Sequence, residues 1–504
     1  MTPSLSLGGV RQHNTHEELV ALARTPVAPS SGRVLDAIIV PASRPARHLD
    51  HAITLAHSAQ CRLVVLCSRR ARSDDVNQLL ASRSFTQAVV IDLPPGYGHR
   101  WLEFATSRPE EIGRLPEPCA TRDTDLSTKR NLGLILARML GWDRVFFMDD
   151  DIGNINLPDL RRTASMLGRQ YYSVGMRVSD FPDHSVVCHA HRETGESQDV
   201  FVSGSVLAID CTTPIGFFPN IYNEDWLFLY NDTVERRLAW SGLYATQLSY
   251  DPFDDPRRAA GQEFGDVLAE GLYALLHNHK NAAYATRDYW IDFLRARREF
   301  LDAITARADK VRPEARQKML ASVAAARECS AQIEPSLCEH YVRLWRKDLG
   351  YWEQTLKETP RLSSVTEALS RLGLVPTAEA DGNDGDHRSV AVTVERQVHV
   401  DTSPAPDQSM APESVLISTA AVLNLSDDRA DLARLAAQAN VHQMEWLRRT
   451  IARSANRAAS IPASQRRKLA AASHASQGKK LAAVSTVGAL ALFGTLLLAI
   501  MAFT

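Results

Sequence analysis

Net charge is nearly absent from this chain. Its 57 lysines and arginines face 59 aspartates and glutamates, leaving a formal charge of -2. No long-range field exists to draw in nucleic acid, so polyanion binding is not expected. Paired cysteines are lacking as well. The seven cysteines (Cys61, Cys67, Cys119, Cys188, Cys211, Cys329 and Cys338) are odd in number and scattered, with no C-x-x-C pair, which leaves zinc and redox motifs without support and reads them as reduced packing residues. No charged stretch followed by an apolar one opens the sequence. Residues 1–32 are therefore expected to be a disordered, polar tail rather than a secretory leader. Internal repeats are absent too, which argues against a solenoid or propeller.

What is present can fold. With 45% hydrophobic and 23% charged residues over 504 positions, most of the chain can bury a core, in about two to four units for this length. From residue 33 to about 210, short apolar, β-branched runs alternate with amphipathic stretches. That is the pattern of an α/β fold with a mainly parallel sheet flanked by helices. Strands are expected over 35–40, 62–67, 88–92, 144–148 and 201–209, and helices over 47–59, 73–82 and 127–140. In the last helix Leu132, Ile135, Leu136, Met139 and Leu140 recur at helical spacing, with Ser127 or Thr128 able to cap its start.

Beyond residue 261 the pattern turns helical, with Phe264, Val267, Leu268, Leu272, Leu275 and Leu276 forming one stripe. Residues 286–374 are expected to be a helical extension. Residues 375–412, rich in Asp, Gly, Ser, Thr and Pro, read as a flexible linker, and 413–478 as a helical, basic stalk. Residues 481–504 carry no charge. At about 1.5 Å per residue such a helix spans a bilayer core of about 30 Å. Lys479 and Lys480 abut it. Residues 479–504 are thus expected to be a C-terminal transmembrane helix, with the rest of the chain facing the cytoplasm from the cell membrane.

The chemistry concentrates where Val145-Phe-Phe-Met ends in Asp149, Asp150 and Asp151. Carboxylates at the C-terminal end of a strand fall where open α/β sheets bind ligands. Three adjacent negative charges call for a divalent counter-ion, and hard oxygen ligands suit Mg²⁺ or Mn²⁺. Side chains alternate along a strand, so Asp149 and Asp151 share a direction that Asp150 does not. A solvated acidic turn is the plain alternative. A haloacid-dehalogenase-type phosphohydrolase, whose strand ends in D-x-D with the first Asp as nucleophile, is the competing chemical one. Here Ile152 and Gly153 leave that motif incomplete.

The surrounding motifs carry a resemblance. Lys129-Arg130-Asn131-Leu132-Gly133, the helix after it and Phe147-Met148-Asp149-Asp150-Asp151 resemble the R-N-x-G and F-L-D-x-D element of family 2-like glycosyltransferases of the GT-A fold. Gly204-Ser205, then Ile215-Gly216-Phe217-Phe218, then Asn223-Glu224-Asp225-Trp226-Leu227 resemble that family's G-S, G-x-F and E-D-W-x-L succession. The resemblance runs from residue 33 to about 280 and implies a GT-A-like domain over 33–285.

It further implies transfer of a sugar from a nucleotide-diphosphate donor to a hydroxyl acceptor, assisted by Mg²⁺ or Mn²⁺. On it, Pro41, Ser43, Arg44, Arg130, Asn131 and Asp149 border the nucleotide sugar. Asp149 and Asp151 hold the metal, and Glu224 and Asp225 are the catalytic acids on the acceptor side, with Asp225 the general base. His277 is a third metal ligand or an ordinary helix-end histidine. Trp226 stacks on the acceptor sugar or packs its own helix. The second strand ends in Cys67-Ser68-Arg69-Arg70, where relatives place acidic residues, so donor identity does not transfer, and Asp74 and Asp75 are loose substitutes. His189 and His191 suggest a clip on a strand without a third ligand. A membrane-tethered binding or scaffold protein without catalysis is the remaining alternative.

Overall fold

In the computed structural model, uninterrupted apolar runs form the centre of one nine-stranded sheet. The structure describes residues 10–13, 15–22, 34–120, 124–179, 185–197 and 201–374. The expected linker, stalk and anchor over 375–504 lie outside the described residues. Among the described residues, no helix is long and apolar enough to cross a membrane.

The strands are β1 (Ala21–Leu22), β2 (Ala37–Ala42), β3 (Arg62–Cys67), β4 (Ala88–Asp92), β5 (Arg144–Met148), β6 (Ile152–Gly153), β7 (Ser173–Val178), β8 (Val206–Asp210) and β9 (Leu238–Gln247). Their order is β1-β9-β7-β8-β5-β2-β3-β4, with β6 paired to β9. β4, β3, β2 and β5 run parallel. β8 is antiparallel to both of its neighbours, β5 and β7, and β9 returns parallel to β7. The mainly parallel α/β sheet is as expected.

Both faces of the central strands are buried, which is why they read as continuous rather than alternating apolar runs. Ile39, Val64, Leu66, Val89, Val145 and Phe147 join one core with the Leu126–Leu140 helix. Their neighbours Ile38, Val65, Val90, Phe146 and Met148 join the opposite core, with the Asp50–Ala59, Ser73–Ser82 and Leu157–Ser165 helices. The period of two along each strand thus sorts side chains between two helical layers. Gly133 makes one of these contacts possible: a Cβ there would lie 3.0 Å from Ile39 Cγ2, so the helix approaches β2 as closely as a glycine permits.

Two expectations need correction. The tail is not loose throughout: β1 pairs with β9, and His16 is 2% exposed in the core. Aromatic and histidine contacts anchor it, a signal a polar composition hides. Residues 286–374 pack onto the α/β core rather than standing apart from it. One apolar core runs from Val20 to Leu374, Trp345 meets Tyr230 edge-on at 5.3 Å, and Asp348 caps the backbone of Ala105 and Thr106. Finally, His189 and His191 sit on the Val186–Glu193 helix, where residues two apart do not share a face.

Candidate active site

The sheet reverses its winding between β2 and β5, since β3 and β4 extend to one side of β2 and β5 begins the other. Ligands of open α/β sheets bind at that switch point, beyond the carboxyl ends of the strands. The β2 to β5 pairing stops at Ile39 and Phe147, whereas β2 stays paired with β3 as far as Ala42. Pro41, which has no N–H to donate, lies just past the last residue paired to β5.

The three aspartates at the β5 exit have three different environments. Asp149 accepts both its hydrogen bonds from Arg130 Nη2, at 3.0 Å each. Asp150 accepts the backbone N–H groups of Ser43 and Arg44 at 2.6 and 2.7 Å, and the Arg44 guanidinium as well. It ties the β2 exit to the β5 exit. Asp151 is 8% exposed. Its Oδ2 accepts from Arg44 Nη2 at 2.9 Å and Gln247 Nε2 at 3.2 Å. Its Oδ1 is buried with no hydrogen-bond partner among the described residues. Burial, then the charge of Asp149, push the Asp151 carboxyl up to about 6. Burial raises Asp149 as well, against the pull of Arg130.

Lys129 underpins this loop from below. Its fully buried Nζ donates to Ala42 O at 2.7 Å, Ser43 Oγ at 3.0 Å and Ser68 Oγ at 2.6 Å, and pairs with Asp125 at 3.2 Å. Burial lowers its pKa. The lysine belongs to the K-R-N-x-G run, but nothing in one dimension reveals that it clamps the exits of β2 and β3.

Arg130 joins the two halves of the site. One nitrogen holds Asp149 and the other donates to Glu224 Oε1 at 2.9 Å, while the guanidinium carbon lies 5.4 Å from the Phe218 ring centre. Burial opposes its charge, but Asp149 and Glu224 outweigh that and hold the guanidinium above its ordinary pKa. Glu224 and Asp225 open the Glu224–Phe228 helix, after Asn223 in the left-handed region at φ 60°. Asp225 accepts from Gly204 N at 2.8 Å and Trp226 N at 2.9 Å, and burial, then the charge of Glu224, push it up to about 6. A Cβ on Gly204 would lie 2.8 Å from Arg130 Nη1 and 3.0 Å from Asp225 Cβ. The G-S motif is therefore glycine because the arginine and the acid close over it.

Two of the expected site residues are engaged elsewhere. Asn131 is 2% exposed and makes a two-point clamp on Phe218, donating to its carbonyl and accepting from its N–H at 2.8 Å each. It braces the I-G-F-F segment rather than facing a nucleotide. His277 Nε2 lies 3.0 Å from His16 Nδ1, and its ring stacks on His13 with centroids 4.1 Å apart. Among the described residues no three His, Cys, Asp or Glu side chains converge as a metal cage, so His277 does not complete one with Asp149 and Asp151.

Trp226 belongs to an aromatic cluster, 5.1 Å from Phe201, 5.2 Å from Tyr273 and 4.9 Å from His16. The acidic run around Glu263 and Asp266 is neutralised by Arg297, which binds Glu263 at 2.9 and 2.7 Å and Asp266 at 2.9 Å. Asp266 in turn accepts from Asn223 at 2.9 Å. It therefore steadies the residue that turns into Glu224. Asp74 and Asp75 are exposed in the first turn of the Ser73–Ser82 helix, where they favour its dipole.

The chain matches no protein-family model, and no curated protein matches it at a significant level.

Proposed function

We propose that this protein is a metal-dependent glycosyltransferase of GT-A type, moving a sugar from a nucleotide-diphosphate donor to a hydroxyl acceptor. The observation that carries the reading is the buried link from Asp149 through Arg130 to Glu224, with Asp225 beside it. It draws the D-D-D, R-N-x-G, G-S and E-D-W motifs into one cluster at the switch point of the sheet, although they are spread over nearly a hundred residues.

Asp149 and Asp151 fit a hard divalent cation. Mg²⁺ characteristically takes one or two carboxylates and completes its shell with water and substrate phosphates, and Asp151 Oδ1 is a buried acceptor lacking a donor. A cation held there neutralises the charge of a departing diphosphate. The protein's own part is positioning: Lys129 and Asp150 fix the β2 exit, where Ser43 and Arg44 border the donor. Asp225, raised to about 6, is ionised at neutral pH and can take the acceptor's hydroxyl proton as the oxygen attacks the anomeric carbon. The phosphohydrolase reading needs its motif to continue past the second aspartate, whereas Ile152 and Gly153 follow Asp151 and leave it incomplete.

The uncharged segment 481–504 anchors the chain to the cell membrane, with the catalytic domain on the cytoplasmic side, in this reading. A screen of nucleotide sugars with Mg²⁺ or Mn²⁺, following donor binding and slow donor hydrolysis, tests the function. Metal-dependent binding of one donor supports it, and its absence for every donor overturns it.

A further inference from the structure

We propose that Cys119 and Cys329 form a reversible, peroxide-responsive disulfide that staples the entry to the Lys129–Arg130 helix onto the helical layer. Their sulfurs lie 3.5 Å apart although the residues are 210 positions apart in the chain. Of the seven cysteines, all thiols here, Cys119 alone is not buried. Oxidant therefore reaches one thiol of the pair, and its resolving partner waits in contact with it.

The surroundings suit the chemistry. Cys119 lines a cavity of about 30 Å³ together with Thr106, Leu115, Tyr222 and Phe264. That is about twice the roughly 10–15 Å³ needed by a water, and so room for a peroxide molecule. The hydrogen bond with Cys119, then burial, hold the Cys329 thiol well above its ordinary pKa, which disfavours it as the first to be oxidised. Closing the gap to the roughly 2.05 Å of a disulfide asks for a small shift. Cys119 sits on the short, four-residue Glu117–Ala120 helix, the element best able to supply it.

The reaction balances with hydrogen peroxide as oxidant. The Cys119 sulfur attacks one peroxide oxygen, the O–O bond breaks, and one water leaves as Cys119 becomes a sulfenic acid. Cys329 then attacks the Cys119 sulfur, its proton leaves with the sulfenic oxygen as a second water, and the S–S bond forms. Two thiols lose two hydrogens and two electrons, and one peroxide becomes two waters.

The bond joins the Glu117–Ala120 helix to the Pro313–Gln332 helix. Both pack against the Pro256–His277 helix, whose Ala260 carbonyl already accepts from Cys119 at 3.4 Å. From Ala120 the chain proceeds to the Leu126–Leu140 helix, which carries Lys129 and Arg130. The staple therefore acts on the approach to the site and stands whether or not the transferred group is a sugar.

The test is peroxide treatment of the full chain, followed by intact mass, peptide mapping without reductant, and thermal unfolding. The expected result is loss of two hydrogens, a peptide containing Cys119 linked to one containing Cys329, and a rise of several degrees in Tm that dithiothreitol reverses. In Cys329→Ser, the linked peptide and the Tm rise vanish, and a dimedone-trapped sulfenic acid accumulates at Cys119. Sulfinic acid at Cys119 of the unsubstituted chain without a link, first oxidation at another cysteine, or a Cys119–Cys119 link between two chains overturns the proposal.

Discussion

Arg130 and Glu224, 94 residues apart in sequence, form a buried ion pair at 2.9 Å whose other arm reaches Asp149. Removing the cation strands two carboxylates in a low-dielectric cluster. Arg130→Ala is expected to destabilise the fold by about 3–5 kcal/mol, the usual cost of breaking a buried pair on one side. Arg130→Lys keeps the charge but cannot span both acids, because an ammonium lacks the planar fork. It should fall between the two in urea unfolding. A loss below about 1 kcal/mol for Arg130→Ala means that the pair behaves as a surface salt bridge and does not organise the site.

Asp225 makes a kinetic prediction. Burial and Glu224 raise its carboxyl to about 6, and a general base works only when ionised. Sugar transfer should therefore climb as pH rises through about 6 and level off above it. Asp225→Asn should lower the rate by about 10²–10⁴-fold and abolish that limb. A wild-type profile without a limb near that pH counts against Asp225 as the base.

Much of the sheet is legible in the sequence for a physical reason. Arg62–Cys67, Ala88–Asp92 and Arg144–Met148 are buried strands whose apolar runs have sharp ends. Ser173–Val178 and Leu238–Gln247 escape notice because Ser173, Arg177, Ser241 and Gln247 interrupt them, and tertiary partners satisfy those groups: Ser173 bonds Asp232 at 2.6 Å and Gln247 bonds Asp151. The expected strand over 201–209 shortens to Val206–Asp210 because Gly204 and Ser205 form the turn beneath Arg130. Site residues on strand exits are visible as motifs. Buried pairing residues such as Lys129, Arg297 and His16 are not, since pairing across the fold leaves no local pattern.

The docked N-terminal segment should loosen in acid before the core does. Burial, then His277, His16 and Arg11, push His13 down to about 4, and burial with His16 lowers His277, against the opposing charges of Glu18 and Glu270. Both rings are held neutral when docked and gain protons near 6.5 when released, so docking is favoured above that pH and weakens as pH falls towards about 4. Amide hydrogen exchange within 15–22 should accelerate across this window while exchange in β2 and β3 stays slow. Uniform behaviour of the two regions would refute a histidine-held segment.

Asp348 tests whether the helices after residue 285 belong to the fold. The carboxylate, 3% exposed, accepts from Ala105 N, Thr106 N and Thr106 Oγ1 at 2.8, 2.8 and 2.7 Å. Asp348→Ala leaves those donors buried and unmet, at an expected cost of about 2–4 kcal/mol. A chain truncated after residue 285 exposes the apolar core shared with Tyr341, Trp345 and Trp352 and should not yield soluble, cooperatively unfolding protein. A well-behaved truncated chain would mean that these helices are not needed to complete the core.

Neighbouring aspartates should separate structure from metal binding. Asp150 spends its carboxylate on the N–H groups of Ser43 and Arg44, so Asp150→Ala should lower stability by about 1–3 kcal/mol through those stranded donors. Asp151 leaves one buried oxygen without a donor and brings two acidic charges together with Asp149, an arrangement a cation relieves. Asp151→Asn removes a negative ligand while keeping the shape. It should weaken Mn²⁺ or Mg²⁺ affinity by about 10-fold or more, as measured by calorimetry in the presence of a nucleotide diphosphate, and should leave urea stability nearly unchanged. Equal metal affinity in wild type and Asp151→Asn would assign the orphaned oxygen to water and move any cation away from the β5 exit.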